Sequence, residues 1–219
     1  YNNINFNLTN AQKRSIKEIN DDLSKPYAMN RLLQGDVGSG KTIIAILAAS
    51  IAVSNNCQVA IMAPTEILAN QHYKSFRKLA DHAQMSCAQL IGGMPAGDRK
   101  KLLSGIENGK VNIVVGTHAL IQNDIIFNSL GLVIVDEQHR FGVNQRSLLA
   151  QKGLNPHLLM MTATPIPRTL AITYHGDMDL SIIDELPKDR IPIVTKTVNK
   201  ERLDKIYSFM VDEIKSGRQ

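Results

Sequence analysis

Eight consecutive residues near the start of the chain have the types and spacing of a phosphate-binding loop. The segment fits the pattern G-x-x-x-x-G-K-[ST] and reads Gly35-Asp36-Val37-Gly38-Ser39-Gly40-Lys41-Thr42. Glycines let the backbone curl so that successive N–H groups point at phosphate oxygens, and a following helix adds its positive N-terminal dipole. Lys41 would reach the β- and γ-phosphates of a nucleotide, and Thr42 would contact a magnesium ion. A glycine-rich turn before a helix would explain the glycines but not the adjacent lysine and threonine.

Two carboxylates, Asp136 and Glu137, follow the apolar run at residues 132–135. That run predicts a buried strand, and open α/β sheets bind ligands at the carboxyl ends of their strands. Downstream of a phosphate loop this is the Walker B arrangement, in which Asp136 would hold magnesium and Glu137 would orient an attacking water. The alternative is a pair of solvated acids at a strand end. The phosphate loop favours the functional interpretation, and Glu137 favours hydrolysis of a nucleoside triphosphate.

Short aliphatic runs separated by longer amphipathic segments must position these groups. The runs predict strands at residues 31–34, 59–63, 111–115, 132–135 and 157–161. Because each run is almost continuously apolar, both faces of the sheet should be covered by helices. The intervening segments predict helices at residues 10–23, 41–54, 66–80, 98–107, 144–151 and 167–174. We therefore expect an α/β fold with a doubly wound, mostly parallel sheet and helices on both faces.

The sequence pattern changes after about residue 186. An extended segment is predicted at residues 193–198, after Pro187 and Pro192, and a charged helix at residues 200–215. A lone strand and helix cannot bury a core of their own. Residues 1–186 are therefore predicted to form one domain, and residues 187–219 the linker and the opening of a second. Together with the missing initiator methionine, this favours a piece of a longer chain.

Composition sets only broad limits on function. A net charge of +5 and a pI near 9.2 permit an anionic partner such as nucleic acid, but no run of five like charges marks a binding surface. The two cysteines, Cys57 and Cys87, and the six scattered histidines have no disulfide or zinc spacing, so a reducing cytoplasm is expected. The longest apolar stretch is far shorter than the ~20 residues of a membrane-spanning helix.

Several segments downstream of the phosphate loop match the motifs of one family. They are Ala63-Pro64-Thr65-Glu66-Ile67-Leu68-Ala69, Gly116-Thr117-His118-Ala119-Leu120, Asp136-Glu137-Gln138-His139-Arg140-Phe141-Gly142-Val143, Gln145-Arg146, Thr162-Ala163-Thr164-Pro165-Ile166-Pro167-Arg168-Thr169 and Ile183-Asp184-Glu185-Leu186-Pro187. From Phe6 onwards the chain resembles the bacterial RecG family of ATP-dependent DNA helicases in superfamily 2. The alternative is the transcription-repair coupling factor, whose pattern resembles D-E-E-Q-R-F-G where this chain has residues 136–142. The histidine at position 139 favours RecG.

The resemblance implies a RecA-like P-loop motor lobe that uses ATP and Mg²⁺, and it assigns roles to matching positions. It implies catalytic roles for Lys41, Glu137, Gln138 and His139, coupling to DNA movement for Thr162, Ala163 and Thr164, adenine recognition for Gln12 beside Leu8 and Thr9, and DNA-phosphate contacts for Pro64, Thr65, Gly116, Thr117 and Arg168. Simpler alternatives stay open. Thr9 and Gln12 also fit a helix capping box. Thr65 and Thr117 fit helix caps, Thr162 and Thr164 fit strand-end hydroxyls, and His139 fits an ordinary polar contact.

The resemblance also implies what the parent protein does. Such a helicase hydrolyses ATP between two lobes and remodels stalled replication forks and Holliday junctions in DNA repair and recombination, and it is expected to act as a monomer. The arginine-finger motif of the second lobe, of the Q-x-x-G-R-x-G-R type, does not occur in these 219 residues, and neither does the fork-recognising wedge domain. We therefore expect this chain to bind nucleotide but to hydrolyse it poorly, since such a finger accelerates turnover by ~10³ to 10⁵.

Overall fold

Seven parallel strands in the described part of the chain form one sheet. The computed structural model describes residues 8–82, 84–137, 148–164, 178–185, 195 and 197–217. The strands are β1 (Asn30–Gly35), β2 (Gln58–Met62), β3 (Cys87–Leu90), β4 (Ile113–Gly116), β5 (Leu130–Val135), β6 (His157–Thr162) and β7 (Asp179–Ile183). Their order across the sheet is β3-β4-β2-β5-β6-β1-β7, and neighbouring strands pair in parallel. The predicted parallel α/β architecture is confirmed.

Helices connect these strands. They are α1 (Asn10–Leu23), α2 (Lys41–Ser54), α3 (Glu66–His82), α4 (Ala96–Glu107) and a 3₁₀ turn at His118–Ile121. Contacts divide the chain into two units, Tyr1–Pro187 and Lys188–Gln219. In the second unit, a 3₁₀ turn at Lys200–Arg202 leads into α5 (Leu203–Lys215). The helix predicted from residue 200 is therefore present, with its first residues wound more tightly.

Local signals account for the best-predicted elements. Helices α1 and α2 have the predicted bounds, and all five predicted strands are present within two residues at each end. Strands β3 and β7 were not predicted, because neither is a continuous apolar run: β3 is only partly buried and β7 begins at the exposed Asp179. Of the helix predicted at residues 144–151, residues 148–150 are described and helical. The helix predicted at residues 167–174 lies outside the described residues.

Alternate strand residues pack into two apolar layers on opposite faces of the sheet. One layer joins Leu33, Ile61 and Ile134 to buried residues of α1, α2 and α3, including Phe76. The other joins Leu32, Met62 and Val133 to Ile106 of α4. Since side chains alternate across a strand, both faces of the central strands are buried, as their continuous apolar character indicates.

Two further properties of the described residues complete the fold. No helix among them has the length and apolar character needed to cross a membrane. Both cysteines are free thiols, and burial raises the pKa of the Cys87 thiol to about 12, with the charge of Asp81 adding to the effect. Cys87 is therefore a protonated, unreactive side chain at neutral pH.

Candidate nucleotide-binding site

The predicted phosphate loop and carboxylate pair lie at the ends of neighbouring strands. Strand β6 lies between β5 and β1. Gln34 of β1 is paired with Thr162 of β6, and Asp136 directly follows β5. With strands about 4.8 Å apart, the ends of β1 and β5 are separated by about 10 Å. The sheet therefore gathers the loop, the carboxylates and Thr162 at one carboxyl-end edge, where open α/β sheets bind ligands.

Two glycines in the left-handed region shape the loop. Gly38 has φ 81° and Gly40 has φ 96°, and Ser39 N donates to Asp36 O at 3.1 Å to close a tight turn. A Cβ on Gly40 would lie 2.3 Å from Gln12 Nε2, and a Cβ on Gly35 would lie 2.6 Å from Ser39 Oγ. Position 40 therefore requires glycine both for its backbone angle and for the space that Gln12 occupies.

The Lys41 ammonium lies over the start of the loop. Its Nζ donates to Gly35 O at 2.6 Å and to Asp36 O at 3.1 Å. Burial lowers the pKa of Lys41, while the negative charges of Asp136 and Glu137 act in the opposite direction. The lysine thus responds to both carboxylates, so the two sequence motifs form one electrostatic site. Phosphate oxygens are stronger acceptors for this ammonium than the two carbonyls that it contacts.

Gln12 joins helix α1 to the loop. Thr9 N donates to Gln12 Oε1 at 2.9 Å and Gln12 N donates to Thr9 Oγ1 at 3.2 Å, so the capping box is present. Gln12 Nε2 donates to Ser39 O at 2.8 Å. The amide keeps one N–H and one acceptor lone pair beyond these bonds. It is only 3% exposed, and adenine recognition by Gln12 stays a prediction.

Asp136 is held by two hydrogen bonds. Glu137 N donates to Asp136 Oδ1 at 3.0 Å, and Glu137 itself has φ 49° in the left-handed region. His72 Nε2 lies 2.6 Å from Asp136 Oδ2, in a buried contact between α3 and the end of β5. The sequence analysis did not predict His72. The sequence feature that could have indicated it is a histidine on the inner face of α3, where the side chains one turn before and after are apolar.

The predicted coupling residues are in contact with one another. Thr162 is fully buried, and its Oγ1 lies 2.7 Å from Thr164 Oγ1 and accepts from Thr164 N at 3.2 Å. Ala163 between them is half-buried. The two hydroxyls therefore form a linked pair at the end of β6, between the loop and the carboxylates. Gln138 and His139, predicted to take part in catalysis, lie outside the described residues.

The predicted DNA-contact residues differ in exposure. Thr65 is exposed, and its Oγ1 accepts from Leu68 N at 3.3 Å, so it caps α3; Pro64 is half-buried. Gly116 is buried, and a Cβ there would lie 2.4 Å from Leu90 O. Thr117 is 2% exposed, and its hydroxyl has no hydrogen-bond partner within the described ranges. Arg168 lies outside them. DNA contact at these positions stays a prediction.

The donor atoms at this edge suit Mg²⁺. Thr42 offers a hydroxyl and Asp136 a carboxylate, and Mg²⁺ prefers oxygen ligands, keeping several waters beside one or two carboxylates and substrate phosphates. No group of three or more His, Cys, Asp and Glu side chains that could hold a metal occurs in the part of the chain that the structure describes. Thr42 and Asp136 are thus the candidate protein ligands for magnesium at this edge.

Comparisons with known proteins agree with this geometry. The family model for the DEAD/DEAH box helicase matches residues 9–173. The ATP-dependent DNA helicase RecG of Aquifex aeolicus is 51% identical over 216 residues, which are 98% of this chain and 27% of that protein. RecG of Bacillus subtilis is 53% identical over 214 residues, 98% of this chain and 31% of the relative. The chain thus spans about 30% of the length of these curated relatives, and the predicted resemblance to RecG is confirmed.

Solved structures show the same likeness. A structure of RecG bound to a three-way DNA junction superposes with a TM-score of 0.88 at 44% sequence identity, covering 99% of this chain and 29% of that one. The UvsW helicase of bacteriophage T4 superposes with a TM-score of 0.60 at 22% identity, covering 82% of this chain and 61% of that one. The second match shows a shared fold alone.

Proposed function

The chain belongs to the DEAD/DEAH box helicase family, and from that membership we propose that it is the ATP-binding motor lobe of a RecG-like, ATP-dependent DNA helicase. In this proposal, residues 1–186 form the first RecA-like lobe, and residues 187–219 lead into a second lobe. The substrates proposed for the whole protein are stalled forks and Holliday junctions. The RecG structure on a three-way DNA junction supports branched DNA as the partner.

One observation carries the nucleotide-binding part of the proposal. Lys41 lies at the start of α2, its ammonium contacts the loop carbonyls, and its pKa responds to the charges of Asp136 and Glu137. A lysine in a loop with left-handed glycines, next to two carboxylates, suits a triphosphate with a bound cation. Neither the loop nor the carboxylates alone would favour hydrolysis over simple anion binding.

Each group would take a defined part in binding and hydrolysis. Backbone N–H groups of residues 36–42 would hold the phosphates, and Lys41 would move from the carbonyls of Gly35 and Asp36 to the β- and γ-phosphates. Thr42 and Asp136 would hold Mg²⁺, which neutralises charge between the phosphates. Glu137 would orient the attacking water. Loss of the γ-phosphate would then be sensed through Gln138 and His139 and passed to Thr162, Ala163 and Thr164.

The opposite wall of the site belongs to the second lobe in this proposal. A finger arginine supplied by such a lobe typically raises turnover by ~10³ to 10⁵. The 219-residue chain should therefore bind ATP and hydrolyse it slowly. A turnover within tenfold of the longer protein would contradict this part of the proposal.

The helicase proposal is tested on the longer protein that contains this chain. Forked duplex DNA should stimulate its ATP hydrolysis, and Lys41→Ala should abolish that activity because the phosphates lose their ammonium partner. Lys101→Ala is the matched control, since it removes an exposed lysine from α4. Equal hydrolysis with and without DNA would contradict the proposed helicase function.

The DNA surface is tested separately from the nucleotide site. We propose that Pro64, Thr65, Gly116, Thr117 and Arg168 contact DNA phosphates, which would position a strand without reading its sequence. Thr65→Glu places a negative charge at an exposed position and should weaken forked-DNA binding without changing ATP affinity. Glu66→Gln, at the neighbouring exposed position, is the control. Unchanged DNA affinity in the Thr65 variant would remove this residue from the proposed surface.

A further inference from the structure

His72 lies on the face of α3 that also carries the buried apolar side chains of Ala69 and Phe76. Ala69 and Phe76, three residues before and four residues after it, are buried in the apolar layer between α3 and the sheet. His72 itself is 6% exposed. Helical spacing of three and four places all three side chains on one face. An imidazole on this face has to be explained by a specific partner.

That partner is Asp136, the proposed magnesium ligand. The His72 Nε2 to Asp136 Oδ2 distance is 2.6 Å, and the side chains are 7% and 12% exposed. Asp136 Oδ1 accepts from Glu137 N, so each carboxylate oxygen has one protein partner. Each oxygen keeps a further lone pair. The two bonds therefore fix the carboxylate plane while leaving acceptor sites for an ion or its bound water.

We propose that His72 is a positioning residue for the magnesium site, acting through Asp136 and not by touching nucleotide or metal. Donors that hold a ligating carboxylate set its orientation, and their loss typically lowers metal affinity or activity by about 10- to 100-fold. This inference rests on the proposed function, because it assigns Asp136 to Mg²⁺. It adds to that function a residue of α3, 64 positions before the carboxylate that it orients.

A purely structural role explains less of the local geometry. His72 Nδ1 is buried without a hydrogen-bond partner in the described part of the chain. Burying a ring nitrogen in this way costs free energy that an apolar residue would not cost. The His72 ring packs edge-on against Phe76, with 6.5 Å between ring centroids and 68° between ring planes. This packing holds the ring, while its only described polar contact is directed at Asp136.

The test measures how nucleotide binding by this chain depends on Mg²⁺. Binding of a fluorescent N-methylanthraniloyl ATP is titrated at increasing Mg²⁺ and, separately, in EDTA. His72→Phe should raise the half-maximal Mg²⁺ concentration by about 10- to 100-fold, while affinity in EDTA stays close to that of the unchanged chain. His72→Gln, whose amide can donate in place of Nε2, should restore most of the Mg²⁺ response.

Two further variants separate positioning from stability. Ile106→Val lowers stability in the apolar layer on the other face of the sheet, and it should leave the Mg²⁺ dependence unchanged. In an Asp136→Asn background, His72→Phe should have no additional effect, because the group through which it acts is already altered. If His72→Phe does not fold, His72→Asn replaces it, since its shorter amide cannot span the same distance.

The outcomes distinguish this inference from the function on which it rests. If the unchanged chain binds the fluorescent ATP and Lys41→Ala binds it much more weakly, but both the Phe and Asn variants keep its Mg²⁺ dependence, the positioning role is overturned and the nucleotide site stands. If Lys41→Ala binds as well as the unchanged chain, both proposals are overturned. A raised Mg²⁺ requirement that Gln rescues and Asp136→Asn abolishes supports the inference.

Discussion

The amino ends and the carboxyl ends of the strands form two edges of the sheet, and each holds a cationic side chain differently. At the amino-end edge, Arg31 donates to Asp22 Oδ2 at 2.7 Å and to Ser181 Oγ at 2.9 Å, and Ser181 in turn donates to Glu18. At the carboxyl-end edge, Lys41 Nζ donates to the backbone carbonyls of Gly35 and Asp36. The Arg31 guanidinium is thus held by charged and polar side chains, and the Lys41 ammonium by neutral backbone acceptors.

Several buried polar atoms lie around the phosphate loop and the carboxylates without a described partner. Ser39 Oγ, His72 Nδ1 and Thr117 Oγ1, all at or near the carboxyl-end edge, are buried without a partner in the described ranges. Positive φ angles do not distinguish the two edges, because they occur at both, for example at Glu137 after β5 and at Asn155 before β6. Unpaired buried polar groups are expected where a ligand will supply the missing contacts. The carboxyl-end edge therefore carries the phosphate loop and the carboxylate pair, whereas the Arg31 cluster at the amino-end edge pairs buried side chains with one another.

The largest expected effect is a loss of stability when the Arg31 contacts at the amino-end edge are removed. Arg31→Met removes the buried partner of the Asp22 carboxylate and leaves the more exposed Lys25 on it, so the loss of unfolding free energy should approach the cost of breaking a buried pair, about 3–5 kcal/mol. Urea denaturation should show this loss, while nucleotide affinity at low temperature should not change. Arg14→Met, which breaks an exposed pair with Asp184, should cost much less, because exposed ion pairs contribute little to stability. Similar losses in both variants would contradict the assigned role of this edge.

The second effect concerns affinity and not stability. Lys41→Ala removes a charge-assisted hydrogen bond to phosphate worth about 1.5–3 kcal/mol, so ATP should bind roughly 10- to 100-fold more weakly. The unfolding free energy should change little, because the lysine donates to two loop carbonyls at the surface of the site. Calorimetric titration and urea denaturation measure the two quantities on one sample. A lower unfolding free energy with unchanged ATP affinity would contradict the assigned role of Lys41 in binding.

A matched pair of glycine variants separates backbone strain from lost space. Gly93→Ala (φ 71°) and Gly40→Ala (φ 96°) both place a side chain in the left-handed region, but only the Gly40 variant meets Gln12 Nε2. Each should cost about 1–2 kcal/mol for the backbone, and Gly40→Ala should cost more and weaken ATP binding. Equal stability and equal affinity in the two variants would show that Gln12 does not constrain the loop.

The smallest expected effect is a pH dependence at the amino-end edge. His157 Nδ1 accepts from Met29 N at 2.9 Å, and burial lowers the pKa of His157 while the charge of Asp22 partly opposes this. A folded-state pKa below the ordinary value means that this contribution to stability is complete above about pH 6.5 and is lost as pH falls below it.

His157→Asn should reduce that acid-side loss, because its amide oxygen can accept from Met29 N without titrating. Thermal unfolding measured between pH 7 and pH 5 follows the change. His118→Asn, at an exposed position, should leave the pH profile as it is. An unchanged slope in the His157 variant would assign the pH dependence to other groups.

Local sequence signals account for the elements that the sequence predicted well. The capping box at Thr9 and Gln12 marks the start of α1, and the glycine-rich loop marks the start of α2, so both helices have the predicted bounds. Strands β3 and β7 depend on pairing with β4 and β1. Neither carries a continuous apolar run, so the sequence alone did not reveal them.

The same distinction holds within the site. The phosphate loop and the carboxylates are contiguous motifs that each follow a predicted strand. The sequence therefore predicted that they lie together at the carboxyl ends of the strands. The His72 to Asp136 contact joins residues 64 positions apart, and no local pattern specifies it. The capping role of Thr65 was foreseen as an alternative and is present. Burial of Thr117 depends on how the turn after β4 packs, which periodicity does not predict.

Hydrogen exchange of this chain with and without a non-hydrolysable ATP analogue and Mg²⁺ tests the central claim most directly. Nucleotide binding at the carboxyl-end edge should slow exchange of the amides in residues 36–42 and 136–137 and leave residues 29–31 and 157–158 at the amino-end edge unchanged. Arg31 lies only four residues before the loop, so resolution to single amides matters. Slower exchange at the amino-end edge without any change in residues 36–42 would contradict the account.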